Sequence, residues 1–497
     1  MTGHGAGAYG PDETPDWLSR RAQRSPGALA LRAKGRDLTY ADLDVLAGRA
    51  AGTLAAQGVA PGDRVAALLP SGIDFAVLLH AVLRLGATLV PVNTRLAAQE
   101  MAFVLQDSAP RVLVLGDRLR AQGEPLAQKA GIPVLRAGEP LLAGATAPER
   151  GHCLSDLAAL VYTSGTTGRP KGAMLTWGNF YHGAVTSALG VGTVPEDRWL
   201  LCMPLFHVGG LSILLRATLY GIAVVAQDGF SEQAVARAFA DDGVTIASLV
   251  PVMLRRLLDA GVVFPSALRY ILLGGGPTPR DLLERATTQG VPIAPTYGLT
   301  ETASQAVTMP PAEVAGHIGA AGRPLFLTEV RIGDGEHGLA PGEPGEILVR
   351  GPTVSPGYWQ RPAATAAALA KGWLHTGDVG YLDQEGYLYV LDRRDDLIVS
   401  GGENVYPAEV EDALSRHPAV LDAGVYGLED PVWGQAVHAA VVLREGAQVT
   451  QAQLLDFLRT RLAGYKVPQT VSFWDGLPRN AGGKLMRRLL RKKEEDA

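Results

Sequence analysis

The chain of 497 residues predicts an α/β protein, a large N-terminal part of helix-covered sheets followed by a smaller unit. Three observations carry that expectation. From Trp17 onward, short apolar runs alternate with stretches of helical period, as in parallel sheets buried on both faces. The length suits roughly two to four domains of about 150 residues each. The charge cluster Asp392-Arg393-Arg394-Asp395-Asp396 separates two regions of different composition and reads as a linker.

Composition narrows the class. With 47% hydrophobic and 19% charged residues, the chain has ample material for a core. A net charge of -5 carries no signature of nucleic-acid binding. Cys153 and Cys202 form neither a metal-ligand cluster nor a disulfide framework, so a reducing cytoplasm is expected. There is no apolar run of about 18 residues and no basic-then-apolar leader, so no membrane span is expected. Residues 1–15, rich in Gly, Pro and Thr, read as a frayed tail.

In order, Tyr40-Ala41-Asp42-Leu43 opens a helix running to Leu54, ended by Gly58 and Pro61-Gly62. Val65 to Leu69 is a strand, Phe75 to Leu85 a helix with an apolar face, and Thr88 to Pro91 a strand. A helix then precedes the strand Val112 to Leu115. Leu157 to Val161 is a buried strand. It leads into Tyr162-Thr163-Ser164-Gly165-Thr166-Thr167-Gly168-Arg169-Pro170-Lys171-Gly172. Glycines turn backbone N–H groups inward, hydroxyls add uncharged donors, and Lys171 supplies a mobile point charge suited to a polyphosphate. The Walker A spacing is absent, and a plain Ser/Thr/Gly surface loop is the alternative reading.

Trp199 to Pro204 then leads to Leu205-Phe206-His207-Val208-Gly209-Gly210. His207 lies between an apolar strand and two glycines, where backbone or ligand can come close. A packed histidine and a functional one both fit. Leu211 to Tyr220 reads as a buried helix interrupted by Arg216, which needs an anionic partner. That partner is an internal carboxylate or a substrate carboxylate.

Tyr270 to Leu273 is a strand entering Gly274-Gly275-Gly276-Pro277, where a flat ring could lie against bare backbone. Pro292 to Thr296 leads to Tyr297-Gly298-Leu299-Thr300-Glu301-Thr302. Tyr297 offers a stacking face, and Glu301 a hard oxygen ligand for a magnesium–phosphate complex. Singly, these also read as a turn, a core tyrosine and a solvated acid. Trp373 to Asp378 precedes a hairpin, Tyr381 to Leu391, around Glu385-Gly386. Leu397 to Val399 enters Ser400-Gly401-Gly402-Glu403-Asn404. A strand at Val441 to Leu443 and a helix at Gln453 to Leu462 follow. The loop Pro478-Arg479-Asn480-Ala481-Gly482-Gly483-Lys484 presents one lysine, and Arg487 to Lys493 reads as a solvated helix face.

These blocks, in this order, resemble the adenylate-forming superfamily: acyl-CoA synthetases, peptide-synthetase adenylation domains and luciferases. The resemblance runs from Trp17 to Arg491. It implies an adenylate-forming enzyme fold with a large AMP-binding domain at 16–391, α/β sheets covered by helices plus a β-barrel-like part. A hinge at 392–396 and a small mobile α+β domain at 397–497 complete it. It also implies two half-reactions: carboxylate plus ATP gives acyl-adenylate and pyrophosphate, then a thiol displaces AMP. ATP, Mg2+ and coenzyme A are thereby expected, with a small-molecule carboxylate as substrate; a homo-oligomer is left open.

Carried over by position, Thr163, Ser164, Gly165, Thr166, Thr167, Gly168 and Lys171 would wrap the β- and γ-phosphates. Gly274, Gly275, Gly276, Pro277, Tyr297 and Gly298 would hold the adenine. Thr300 would meet the α-phosphate, Glu301 the magnesium, and Asp378 the ribose with help from Arg393. Lys484 would bridge α-phosphate and attacking carboxylate, and His207 matches the family's aromatic gate to the acyl pocket. Gly401 and Gly402 would line the pantetheine tunnel, with Asp395 as pivot of a domain rotation. Narrower stretches, Met203 to Ser212, Leu273 to Pro277, Thr302 to Gln305 and Leu391 to Arg394, resemble ligases that act on 2-succinylbenzoate in menaquinone synthesis. In that resemblance Arg216 and Ser304 would anchor a second carboxylate. Aryl- or medium-chain fatty acyl-CoA ligation and the loading of a carrier protein are the rival readings.

Overall fold

The computed structural model describes residues 10–163, 170–276, 278, 280–333, 337–392, 398–478, 487 and 489–491. A six-stranded sheet runs in the order Lys171–Thr176, Leu157–Thr163, Thr88–Pro91, Arg64–Leu68, Val112–Leu115, Val134–Arg136. Every neighbouring pair is parallel except the first. A nine-stranded sheet lies beside it, in the order Arg323–Pro324, Val307–Thr308, Ile293–Tyr297, Tyr270–Leu273, Ile246–Leu249, Arg198–Leu201, Ala223–Ala226, Leu29–Ala33, Arg36–Thr39. Its interior is parallel and both edges are antiparallel.

One core joins both sheets through the helices between them, with Leu54, Leu78, Leu89, Leu201 and Leu211 inaccessible to solvent. Burying each such leucine contributes about 1.5–3 kcal/mol. The helix Tyr40–Ala56 is two residues longer than its apolar period suggests. A reciprocal cap starts it: Asp42 N donates to Thr39 Oγ1 at 3.1 Å, and Thr39 N to Asp42 Oδ2 at 2.9 Å.

The helix carrying Arg216 spans Val208–Tyr220, so the Val208-Gly209-Gly210 stretch is its first turn. Gly210 is required there by space: a Cβ would stand 2.3 Å from the Pro204 carbonyl oxygen. The helix stops at Gly221, left-handed at φ 79, whose N–H bonds the Ala217 carbonyl.

The β-barrel-like part takes the form of a five-stranded antiparallel sheet of Glu329–Ile332, Gly345–Arg350, Trp373–Leu382, Leu369–Ala370 and Leu388–Asp392. The expected hairpin turns at Gly386, but its first strand is longer than expected, a single run from Trp373 to Leu382.

The last sheet is built on the long hairpin Val420–Asp430 and Gly434–Leu443, with Ile398–Ser400, Glu403–Val405 and Thr470–Phe473 alongside. Helices Pro407–Ser415 and Gln451–Arg459 cover it, and it has its own core, including Val425, Val437, Leu454 and Leu458. The basic tail is not simply solvated. Arg487 donates from Nε to the Val425 carbonyl at 3.0 Å and from Nη2 to both Glu411 oxygens at 2.7 and 2.8 Å. Leu490 is fully buried. Helical spacing puts residues three apart on one face, so these two share the inward side. Among the described residues, no helix is long and apolar enough to cross a membrane.

Candidate active site

Parallel strands in an open α/β sheet aim their carboxyl ends at one crevice. In the nine-stranded sheet, those ends are followed by Met203 to Gly209, Val250, Gly274 and Gly298. They enclose a cavity of about 160 Å³, lined also by Trp199, Arg216, Ser248, Thr300, Ser304, Gln305 and Gly402. A second cavity of about 80 Å³ adjoins it, lined by Thr163, Pro170, Thr300, Glu403 and Tyr465 among others. His207 and Thr300 border both. His207 therefore stands between the phosphate-loop side and the side that holds Arg216.

Thr163 and Lys171 are paired across antiparallel strands, which brings the two ends of the hydroxyl- and glycine-rich stretch together. Lys171 Nζ lies 5.3 Å from the Tyr358 ring centroid. The Tyr358 hydroxyl donates to Glu301 Oε1 at 2.6 Å. Glu301 thus presents an oriented carboxylate beside the loop that would hold a polyphosphate. A single carboxylate suits magnesium that arrives on its nucleotide and keeps phosphate and water ligands. Among the described residues there is no cluster of three metal-ligating side chains.

Tyr297 is tied down by its hydroxyl, which donates to Asp378 Oδ2 at 2.8 Å; both residues are buried. Thr376 Oγ1 accepts the Asp378 N–H at 3.0 Å. The hydrogen bond fixes the Tyr297 ring and the Asp378 carboxylate relative to each other. After Thr300–Thr302, Ala303 and Ser304 are both left-handed, at φ 51 and 95. Strained backbone of this kind aims a side chain at a cost of order 1–3 kcal/mol per residue. Here it turns Ser304 and Gln305 toward the cavity.

The smaller unit completes the site. Gly402, at φ 82, lies against the sheet end, where a Cβ would meet Val250 at 3.2 Å. Gly401, at φ 58, packs under Trp433. Glu403 reaches back to His207, with Oε2 3.0 Å from Nε2, and pairs with Arg95. Burial pushes the Glu403 carboxyl up, but His207 and Arg95 together outweigh it and hold the group below the usual carboxylate range.

Arg216 is 3% exposed. Its Nη1 donates to Gln305 Oε1 at 2.6 Å, and its Nη2 has no hydrogen-bond partner among the described residues. No carboxylate among the described residues pairs with it, and burial lowers its affinity for a proton.

The structure thus brings Thr163, His207, Arg216, Gly274, Gly275, Gly298, Thr300, Ser304 and Gly402 to the walls of the two cavities, with Lys171, Gly276, Glu301 and Gly401 next to them in the chain and Tyr297 paired with Asp378. Ser164, Gly165, Thr166, Thr167, Gly168, Pro277, Arg393, Asp395 and Lys484 lie outside the described residues. Sequence reasoning gave no role to Glu403, Tyr358, Gln305 or Arg95. An acid after two glycines was the one available hint, for Glu403.

Known proteins bear on this arrangement. The model of the AMP-binding enzyme family matches residues 18–359, and that of the AMP-binding enzyme C-terminal domain matches 409–484. A 2-succinylbenzoate–CoA ligase of Bacillus velezensis is 47% identical over 480 residues, 96% of this chain and 98% of the relative. The o-succinylbenzoate CoA synthetase of Bacillus subtilis, as a double mutant bound with its product analogue OSB-NCoA, superposes with a TM-score of 0.92 at 42% identity. That match covers 97% of this chain and 99% of the other. The same Bacillus subtilis enzyme in complex with ATP and magnesium ion gives a TM-score of 0.75 at 43% identity, covering 96% and 99%.

Proposed function

The chain belongs to the AMP-binding enzyme family, and from that premise we propose that it joins 2-succinylbenzoate to coenzyme A at the expense of ATP, in menaquinone synthesis. It is an AMP-forming acid–thiol ligase with the adenylate-forming enzyme fold. In the first half-reaction the substrate carboxylate attacks the α-phosphorus of ATP and pyrophosphate leaves. In the second, the thiol of coenzyme A attacks the acyl carbon and AMP leaves.

Each group has a task in this scheme. Thr163 and Lys171 hold the outer phosphates, and Glu301, oriented by Tyr358, meets the magnesium that the nucleotide carries. That ion draws charge from the phosphate oxygens as pyrophosphate departs. Tyr297 and Asp378 grip the adenosine, and Thr300 lies where the two cavities meet. Lys484 stabilises charge building on the α-phosphate during attack. His207, held by Glu403, leaves the path past Gly402 open to a thiol.

The relation of the two units fits the second half-reaction. Gly402 and Glu403 face the crevice, and the likeness is greater to the product-analogue complex than to the ATP complex of the same enzyme. For the first half-reaction the smaller unit, 397–497, turns relative to 16–391 about 392–396, with Asp395 as pivot. The reaction belongs in the cytoplasm, where ATP and coenzyme A are supplied and unpaired Cys153 and Cys202 stay reduced.

One observation carries the choice of substrate: a guanidinium on the cavity wall with one nitrogen that has no hydrogen-bond partner among the described residues. A monoacid would leave that cation without an anion, whereas the second carboxylate of a keto-diacid satisfies it. The test is pyrophosphate release over a panel of carboxylic acids, followed by thioester formation with free coenzyme A. 2-Succinylbenzoate should lead the panel. Preference for aliphatic monoacids would overturn the substrate, and failure with free coenzyme A would favour a carrier protein as acceptor.

A further inference from the structure

We propose that Gln305 is a positioning residue that makes Arg216 a receptor for a substrate carboxylate, by holding the guanidinium through a neutral oxygen. This rests on the reading of Arg216 given above. A buried guanidinium has five N–H donors and ordinarily takes a carboxylate. Arg216 instead donates Nη1 to the Gln305 side-chain oxygen at 2.6 Å, while Nη2 has no partner among the described residues. Both residues are buried and both line the same cavity.

Which end of the Gln305 amide faces Arg216 follows from hydrogen counting. Thr296 Oγ1 gives its only proton to the Val307 carbonyl, at 2.8 Å. In the 2.8 Å contact between the Thr296 and Thr308 hydroxyls, Thr308 must therefore be the donor. Both hydroxyls then offer only lone pairs to Gln305 Nε2, at 3.4 and 3.3 Å. The amide nitrogen is committed to the threonines and Oε1 is turned to Arg216. The reverse orientation would set N–H against N–H at Arg216 and lone pair against lone pair at the two threonines.

The neutrality of this acceptor is what leaves the site receptive. A glutamate of the same shape would pair with Arg216 inside the protein and cancel the charge that the substrate anion needs. An aliphatic side chain would leave Nη1 without an acceptor and the guanidinium free to swing. Glutamine fixes the direction of the fork and leaves its charge for the ligand. Gln305 should therefore govern discrimination between a diacid and a monoacid.

The experiment compares the full-length enzyme with Gln305→Glu, Gln305→Met and Arg216→Met. kcat and KM are measured for 2-succinylbenzoate and for the analogue that keeps only the activated carboxylate, with KM for ATP as a check on the nucleotide half. Gln305→Glu should lower the diacid-to-monoacid ratio of kcat/KM by about tenfold or more, mostly through KM for the diacid. Gln305→Met, which removes the acceptor and adds no charge, should lower it roughly three- to tenfold. An unchanged ratio in Gln305→Glu, while Arg216→Met lowers it, overturns the role of Gln305 and leaves that of Arg216 standing. An unchanged ratio in Arg216→Met removes the carboxylate site itself, and this inference with it. If Gln305→Glu does not fold, the ratio in Gln305→Met decides alone, and no change there overturns the proposal.

Discussion

His207 Nε2 stands 3.0 Å from Glu403 Oε2, and the two residues come from different units of the chain. Arg95 pairs with the same carboxylate. The contact fastens the smaller unit against the crevice, and in the function proposed above it serves the thiol step.

Glu403→Gln should accordingly spare pyrophosphate exchange and slow thioester formation. His207 and Arg95 are partly exposed, so solvent screens the pair and its loss costs about 1–2 kcal/mol, roughly tenfold in rate. Single-turnover assays with synthetic acyl-adenylate measure the second step alone. The sign of the pH effect follows from the lowered Glu403 value. Stabilisation of the docked arrangement is fully present above the ordinary carboxyl value of 4.5 and is lost as pH falls through the lower folded value. Equal damage to both steps would refute the assignment.

Gly402→Leu attacks the same step from the backbone. At φ 82 an L-residue is strained by roughly 1–2 kcal/mol, and its Cβ would press on Val250 at 3.2 Å. The variant should form adenylate and stall before thioester. Accumulation of enzyme-bound acyl-adenylate in quenched reactions checks this; a fall in adenylate formation of the same size would count against a thiol path at Gly402.

Lys484→Ala is the converse. Removing a preorganised charge from the phosphoryl step should reduce adenylation by about 10²–10³. Thioester formation from supplied acyl-adenylate should persist, and its loss would show that one lysine serves both steps.

Much of this was legible in the residues, for a physical reason. Thr88–Pro91, Val112–Leu115 and Tyr270–Leu273 are buried along their whole length, so their apolar runs and their strands coincide. Val134–Arg136 lies at a sheet edge, mostly exposed, and has no such run to betray it. The phosphate loop and Glu301 were legible only as candidates, each with a plain alternative, and the role expected of Gly402 came from the family resemblance. Glu403 and Gln305 were not legible as site residues. Their partners are 196 and 89 residues away, and no local period encodes a pairing at that distance.

The joint between the units holds one more titratable cluster. Lys466, 1% exposed, donates to Glu409 Oε1 at 2.8 Å and pairs with Glu100 across the joint. Two carboxylates share one ammonium in a dry place, so one of them keeps a proton. Burial pushes Glu409 up to about 7, and its Oε2 accepts nothing among the described residues. A carboxyl that ionises at 4.5 when unfolded and near 7 when folded favours the folded state in its protonated form. Stability from this group is therefore greatest at low pH, declines as pH rises through that window, and levels off above it. Glu409→Gln keeps an acceptor for Lys466 and removes the titration. Its Tm relative to the parent enzyme should rise between about pH 5 and about pH 8, because only the parent loses the proton. A constant difference would mean that Glu409 is already ionised in the fold, with Lys466 balancing both acids.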